Sequence, residues 1–239
     1  MKPVILNCYT DKSYVSEYAP IDYSNKFLPE WWKDLSKTVE SEYKGLEMPT
    51  MKTCEGFIAQ YKNSITIPAW SDFALQVYSE GTIGHNWVFS DGLSKAEEHP
   101  DKQRGLYLPP TRYQHIKLVV PWVLTCYEEI DWQMLGSTWN FNKPEELLIP
   151  PGIINFKYQF GANINLFVKK DETQKVVRID HGQPLVQLVP LTERKVELRR
   201  HLLTTEQYQK MLQMRTGIKF AGTYRRVKNI LKGKCPFGG

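Results

Sequence analysis

The sequence predicts a mainly β protein whose centre is a compact β-barrel or jelly-roll. Aromatic residues are abundant, with seven Trp, thirteen Tyr and ten Phe, and fifteen Gly and fifteen Pro are spread along the 239 residues. Large flat side chains pack well on pleated sheets, and frequent turn residues favour many short strands over long helices. Two proline-bounded runs, 150–158 and 179–190, predict a bent hairpin, a strand, and a return strand that turns at Gly182.

Residues 51–200 are predicted to form the barrel domain. Segments 65–67 and 73–77 alternate apolar and polar side chains, but the phase changes at Pro68, which predicts a bend or bulge on an edge strand. Segment 117–125 is apolar on both faces and is therefore expected to be a buried strand. The predicted core includes six side chains: Val120, Trp122, Leu124, Ile154, Leu166 and Leu188.

Residues 1–50 are predicted to form an irregular N-terminal arm with short helical pieces. Segment 28–35 has a proline in its first turn, an acid early and a lysine later, which suits one or two helical turns. Trp31 and Trp32 are adjacent and cannot both face one way. One of them is expected to hold the arm against the barrel.

Segment 201–239 is predicted to be a basic helical C-terminal extension. Thr204 and Gln207 make a capping-box pattern for its first helix, which Gly217 is expected to end. No acidic residue follows Glu206 but eight Lys and Arg residues do, more than the net charge of +5 for the whole chain. This charge predicts an anionic or acidic partner, and nucleic acid would be bound through its phosphates. The predicted partner-binding residues are Tyr224, Arg225, Arg226, Lys228 and Lys232.

Cysteine usage and hydropathy predict a cytosolic protein without membrane contact. The N-terminal apolar run is too short for a signal peptide, and no stretch approaches the roughly 20 apolar residues of a membrane span. The cysteines lie far apart and form no CxxC pair, which excludes a zinc ribbon and predicts reduced thiols. They are Cys8, Cys54, Cys126 and Cys235.

Two short patterns leave an enzymatic interpretation open. His99-Pro100-Asp101 supplies half of a two-His, one-carboxylate iron site, and His181 or His201 could supply the second histidine. The same residues are also typical of a polar surface loop. Cys54 precedes a predicted short helix that would lower its thiol pKa, and Cys126 is a second thiol, although a lone cysteine more often belongs to a core.

Part of the barrel resembles dUTPases and dCTP deaminases. The matching residues are Gly152-Ile153-Ile154 followed by Tyr158, and later Gly182 with Gln187-Leu188. The resemblance implies their fold, with a carboxylate that orients the attacking water and a tyrosine near the deoxyribose. Asn155 stands where that acid is expected, and an amide cannot act as a general base. We therefore expect no dUTP hydrolysis and treat Asn155, Tyr158 and Gln187 as a candidate polar site.

From about residue 26 to 225 the chain also resembles a family of uncharacterised proteins of tailed phages, notably marine and cyanobacterial myophages. The marks occur in a fixed order: Leu28-Pro29-Glu30-Trp31-Trp32-Lys33, Lys52-Thr53-Cys54-Glu55-Gly56-Phe57, His99-Pro100-Asp101-Lys102-Gln103, Val120-Pro121-Trp122-Val123, Pro151-Gly152-Ile153-Ile154 and Gly182-Gln183-Pro184-Leu185-Val186-Gln187-Leu188-Val189-Pro190. The family often has a Thr-Pro-x-Gly-Tyr-Ser-like run and, later, Asp residues. At these places this chain has Thr125-Cys126-Tyr127-Glu128-Glu129 and Asn155. A polar site of the family would be altered here.

The expected function is therefore that of a non-enzymatic phage β-barrel, acting as a structural or interaction component in the virion or the host cytoplasm. A protein partner or self-association is expected, without a cofactor or catalytic residues. The alternative is a barrel enzyme, either an iron-dependent oxygenase built on His99, Asp101 and His181 or a nucleotide-directed enzyme.

Overall fold

The computed structural model describes residues 1–43, 45–77, 85–89, 95–98, 108–109, 112–141, 146–170, 175–219, 228 and 232. The helices are α1 (Ser13–Tyr18), α2 (Glu30–Asp34), α3 (Glu55–Lys62) and α4 (Thr205–Lys219). The strands are β1 (Val4–Thr10), β2 (Asp22–Tyr23), β3 (Thr38–Glu40), β4 (Glu47–Pro49), β5 (Ile65–Pro68), β6 (Phe73–Val77), β7 (His85–Phe89), β8 (Lys95–Glu98), β9 (Tyr113–Val119), β10 (Val123–Thr125), β11 (Asp131–Gly136), β12 (Leu147–Leu148), β13 (Gly152–Asn155), β14 (Ile164–Lys169), β15 (Lys175–Ile179), β16 (Pro184–Pro190) and β17 (Val196–Leu202).

Strands dominate, which confirms the predicted mainly β class. Among the described residues they form sheets in the orders β10-β1-β17, β13-β11-β16-β5-β2, β12-β14-β9-β8 and β15-β6-β7, with β3-β4 as a separate hairpin. Within that part of the chain none of these sheets closes on itself as a barrel. The core lies among the sheets, where Trp70, Trp122 and Trp132 are almost completely buried. All six predicted core side chains are buried as well, which confirms that set.

The chain crosses between two sheets twice at the same corner. The connection from β5 to β6 lies beside the connection from β15 to β16, where the Ala69 amide donates to the Gln183 carbonyl and the Gly182 amide donates to the Ala69 carbonyl, both at 2.8 Å. Gly182 has a φ of +80°, which suits glycine, and the register shifts between Pro184 and Val186 opposite Pro68. The predicted irregularity at Pro68 is present, but β5 pairs with both β16 and β2 and is therefore not the edge strand that was expected.

The hairpin pairing expected of the two proline-bounded runs is wrong. β15 pairs with β6, whereas β16 pairs with β11 and β5, so the turn at Gly182 moves the chain to another sheet. β13 pairs with β11, across from Asp131 to Met134. Alternation of apolar and polar side chains predicted where these strands lie, but not which strands pair with each other.

The N-terminal residues depart from the irregular arm that was expected. β1 is the central strand of its sheet, with Val4, Leu6 and Cys8 fully buried. It runs parallel to β17, with Val4 opposite Val196, and antiparallel to β10. Its partners lie more than a hundred residues away in sequence, so no local pattern marked it as core. α1 and α2 supply the short helical pieces that were predicted.

Two further expectations need correction at their boundaries. The single strand expected at 117–125 is divided between β9 and β10, because the chain leaves the ladder at Pro121, which has no amide hydrogen to donate. The capping box of α4 is present, since the Gln207 amide donates to Thr204 Oγ1 and the Thr204 amide donates to Gln207 Oε1. α4 continues through Gly217 to Lys219.

Candidate functional site

An aromatic cluster joins the N-terminal segment to the sheets. We use this name for Trp31, Trp32, Phe57, Tyr61 and Trp139. α2 supplies the two adjacent tryptophans, α3 places Phe57 and Tyr61 one turn apart, and a 3-10 turn at Thr138–Asn140 supplies the last ring. The phenylalanine at its centre is only 4% exposed. It stacks on Trp32 at 5.3 Å and on Tyr61 at 4.8 Å, and meets Trp31 and Trp139 edge-on at 5.9 and 5.8 Å between ring centroids.

Hydrogen bonds fix the rings of the aromatic cluster. Trp31 Nε1 donates to the Trp139 carbonyl, and Trp32 Nε1 donates to the Met51 carbonyl, each at 3.0 Å. Lys52 Nζ lies 4.2 Å from the centroid of the Trp32 ring and donates to the carbonyls of Trp32 and Lys33 at 3.0 and 2.8 Å. One tryptophan was expected to hold this segment in place, and both do.

An open cleft of about 480 Å³ lies beside the aromatic cluster. Trp31 and Trp139 border it and remain 42% and 46% exposed, with centroids 6.0 Å apart and ring planes inclined by 50°. Its charged side chains are Lys26, Lys33 and Glu30. Lys33 pairs with Glu30 and Lys26 pairs with Asp22, so each lysine has a counter-charge. The cleft is also lined by Phe27, Leu28, Pro29, Asn140, Phe141 and Pro184.

A polar network supports the cleft from behind. Tyr61 Oη donates to Asn140 Oδ1 at 3.1 Å, and Asn140 Nδ2 donates to the Phe27 carbonyl at 2.9 Å, so Asn140 links two walls. Burial raises the pKa of Tyr61 to about 12, against a smaller opposing effect of Gln187, and the phenol therefore stays protonated. Gln187, one of the candidate polar residues, is 1% exposed and accepts from Gln60 Nε2 at 2.5 Å. It contributes to this support.

The three candidate polar residues do not form one site. Asn155 lies opposite Asp131 on β11, whereas Gln187 lies opposite Leu135, four residues further along the same strand. The Asn155 amide donates to Asp131 Oδ1 at 2.8 Å and its oxygen accepts from the Lys157 amide at 3.1 Å. This residue therefore stabilises the turn that follows β13.

Tyr158 belongs to a different constellation, which we call the tail-docking site. It consists of Glu129, Tyr158, Lys228 and Lys232. The carboxylate of Glu129 pairs with Lys232 and lies 3.5 Å from Lys228 Nζ. The two ammonium groups lie 5.9 and 5.6 Å from the centroid of the Tyr158 ring, which is only 4% exposed. Two of the predicted partner-binding lysines thus contact their own chain. The other three predicted partner-binding residues lie outside the described residues; they are Tyr224, Arg225 and Arg226.

Charge neutralisation at the tail-docking site is reflected in the pKa values. A hydrogen bond from Lys232, and then one from Tyr158, lower the pKa of Glu129 to about 2. Desolvation, followed by the nearby Glu129 carboxylate, raises the pKa of Tyr158, while the hydrogen bond to Glu129 raises that of Lys232. The preceding residue forms a separate pair, because Glu128 accepts from Arg194 at 2.5 and 2.9 Å and Arg194 also donates to the carbonyls of Lys2 and Pro3.

Two thiols are buried and His201 is held by its neighbours. Burial raises the pKa of Cys8 and of Cys126, so both stay protonated. His201 stacks on Tyr9 at 4.6 Å between centroids, and its Nε2 lies 3.0 Å from Asn7 Oδ1. The side chain of His181 is exposed, and its backbone amide donates to Asp72 Oδ1.

The proposed iron ligands His99 and Asp101 lie outside the described residues. Within the part of the chain that the structure describes, no group of three or more His, Cys, Asp or Glu side chains is placed to hold a metal ion. None of the helices in the described ranges combines the length and apolar character that a membrane crossing requires.

Sequence reasoning missed the cleft because its walls are distant in sequence. The Trp139 carbonyl accepts from the indole of Trp31, which lies 108 residues earlier in the sequence. The one available signal was the pair Trp31-Trp32 beside a proline, which indicated a contact but gave no partner. No protein-family model, curated protein or solved structure matches the chain.

Proposed function

We propose that this chain is a non-enzymatic interaction protein that binds its partner in the cleft bordered by Trp31 and Trp139. The observation that carries the proposal is the exposure of these two indoles, 42% and 46%, within a cluster in which Phe57 and Tyr61 are buried and the indole nitrogens of Trp31 and Trp32 are hydrogen-bonded. Tryptophan is enriched among the residues that dominate binding energies, because a partner can cover a large apolar ring. An exposed aromatic surface that is rigidly held also loses little side-chain entropy on binding.

The setting of this function is part of the proposal. The ordered motifs that resemble tailed-phage proteins support a structural or interaction role in the virion or the host cytoplasm. A jelly-roll-like arrangement of the strands is supported by the corner at Pro68 and Gly182, where the chain passes twice between sheets. Purification of phage particles and detection of the chain by mass spectrometry tests the virion placement.

The chemistry of the described polar groups supports binding over catalysis. Asn155 uses its amide within a turn, and the two buried thiols are held in their protonated, weakly nucleophilic form. Trace-metal analysis of the purified chain tests the iron-dependent alternative directly. Iron bound at close to one atom per chain would replace the interaction role by an oxygenase role.

The experiment that tests the binding role compares two exposed aromatic side chains. Tyr127 is 79% exposed and lies outside the cleft, so Tyr127→Ala is the matched control for Trp139→Ala. Full-length variants are used to isolate partners from bacterial cells, and thermal melting of each variant is measured in parallel. We expect partners retained by the wild type and by Tyr127→Ala to be lost from Trp139→Ala, with all three proteins folded.

A different outcome would assign the aromatic cluster a purely structural role. If Trp139→Ala retains every molecule that the wild type retains, while its melting temperature falls by many degrees, the indole serves the fold and the cleft is not the binding site.

A further inference from the structure

We infer that one buried water molecule binds between Ser137 and Gln187, behind the wall of the cleft, and joins the sheet to the turn that carries Trp139. The ligand is water, and the groups that hold it are a serine hydroxyl and a glutamine amide. The inference does not depend on what occupies the cleft, because it concerns polar groups that lie beneath the surface.

Two buried side chains at this place each have a polar atom without a hydrogen-bond partner among the described residues. The atoms are Ser137 Oγ and Gln187 Nε2, and each residue is only 1% exposed. Gln187 Oε1 already accepts from Gln60 Nε2, so the amide nitrogen alone lacks a partner. A buried polar group without a partner is costly, and such groups are nearly always satisfied by protein or by ordered water.

The strand register places both side chains on one face of the sheet. Gln187 lies opposite Leu135, and the Ser137 amide continues the same ladder by donating to the Leu185 carbonyl at 2.9 Å. Residues two apart on a strand share a face, so Ser137 and Gln187 are diagonal neighbours, about 7–8 Å apart along the backbone. The short serine side chain favours a bridge over a direct bond, since a water with two hydrogen bonds of about 2.8 Å spans about 5.6 Å between polar atoms.

The hydroxyl of Tyr61 supplies a third partner from the side of α3. Burial raises the pKa of Tyr61 and Gln187 opposes that rise, which places the glutamine side chain near the phenol. Tyr61 Oη donates to Asn140 Oδ1 at 3.1 Å, and a hydroxyl that donates once can also accept. The water therefore accepts from Gln187 Nε2, donates to Tyr61 Oη and shares a hydrogen bond with Ser137 Oγ. Three hydrogen bonds are usual for a buried water.

A water at this site fixes the turn at Thr138–Asn140 relative to β16. Ser137 directly precedes the turn, and its carbonyl accepts from the Asn140 amide at 2.9 Å. Gln187 belongs to β16, so a water held by both residues connects the sheet to the base of the turn. The turn carries Trp139, and the water thus supports the wall of the cleft from within the fold.

A crystal structure of the full chain, at a resolution that distinguishes amide nitrogen from oxygen, tests the site directly. We expect density for one water within hydrogen-bond distance of Ser137 Oγ and Gln187 Nε2, and its loss in Ser137→Ala. Absence of this density from the wild type would overturn the inference. It is also overturned if the Gln187 amide is inverted and its nitrogen bonds to Gln60, because the donor is then satisfied within the protein.

Thermal melting of the same variant gives an independent result. A hydroxyl that binds water contributes a hydrogen bond, so Ser137→Ala should lower the melting temperature by about 2–4 °C. Loss of a buried hydroxyl without a partner would instead leave the melting temperature unchanged or raise it, which contradicts the inference. Ser13→Ala, at an exposed serine, is the matched control and should melt as the wild type does. If Ser137→Ala does not fold, the density in the wild-type crystal decides.

Discussion

The cleft and the tail-docking site both combine aromatic rings with ion-paired lysines, yet they differ in the exposure of the rings. At the tail-docking site the Tyr158 ring is 4% exposed, and Glu129 meets both lysines. At the cleft, Trp31 and Trp139 are 42% and 46% exposed, while Lys33 pairs with Glu30 and Lys26 with Asp22. The same residue types therefore complete an intramolecular contact in one region and leave a surface free for a partner in the other.

The difference in ring exposure between the two regions follows from the elements that carry the rings. Tyr158 lies in the turn after β13, and it is covered by Lys228 and Lys232 from the far end of the sequence. The cleft tryptophans lie on α2 and on the 3-10 turn at Thr138–Asn140, and Phe57 supports them from beneath. Support from one side fixes their orientation while the other side stays exposed.

Removing the support should have the largest effect. Phe57→Ala is expected to lower the free energy of unfolding by about 3–5 kcal/mol, since it empties a buried aromatic site that four other rings contact. Urea unfolding measures this loss. Ile58→Ala, on the next residue of α3 and 38% exposed, is the matched control and should cost about 0.5 kcal/mol or less. Equal losses would show that the aromatic cluster is not an integral part of the fold.

At the tail-docking site a smaller change in stability is expected from Tyr158→Phe. The ring is kept, but the hydroxyl that donates to Glu129 is lost, which should cost about 1 kcal/mol in urea unfolding. Tyr127→Phe removes a hydroxyl from a side chain that is 79% exposed and should leave stability unchanged. A neutral result for both variants would argue that the hydroxyl of Tyr158 is equally well satisfied by water.

Neutralising Glu129 should release the tail with little effect on the rest of the chain. In Glu129→Gln the lysines lose their counter-charge, so we expect trypsin to remove the C-terminal residues several-fold faster than in the wild type. Glu128→Gln is the matched control, because it changes the same charge one residue earlier but affects the pair with Arg194. Equal protection of the tail in both variants would contradict the docking contact.

The smallest effect is the pH dependence of tail docking. The folded pKa of Glu129 is about 2, below its ordinary value of 4.5, so its contribution is present above pH 4.5 and is lost as the pH falls toward 2. Exchange of backbone amide hydrogens in the tail should therefore be protected equally, after correction for intrinsic rates, from about pH 7 to 5. Protection should decline below that range. The decline should be absent from Glu129→Gln, and its persistence there would identify another titrating group.

Local patterns predicted several strands between residues 51 and 200, six buried positions and the start of α4. Alternation marked β5 and β6, apolar content on both faces marked the Trp122 segment, and Thr204 with Gln207 marked the capping box. Each of these depends on residues close together in sequence, where side-chain periodicity and capping chemistry act directly. The partners of the strands, including β1 beside β17, depend on contacts between distant residues and were not predictable in this way.

The sequence by itself determined a β-rich chain with an aromatic-rich interior and a basic C-terminal segment, because composition and periodicity fix which side chains must be buried. Tertiary structure decided the surroundings of the candidate polar residues. It placed Asn155 in a turn, Gln187 beneath the cleft and Tyr158 under the tail, and it brought Trp139 to Trp31. Exposure and charge balance around a ring are properties of the packed neighbours, and those neighbours are assembled from segments far apart in the chain.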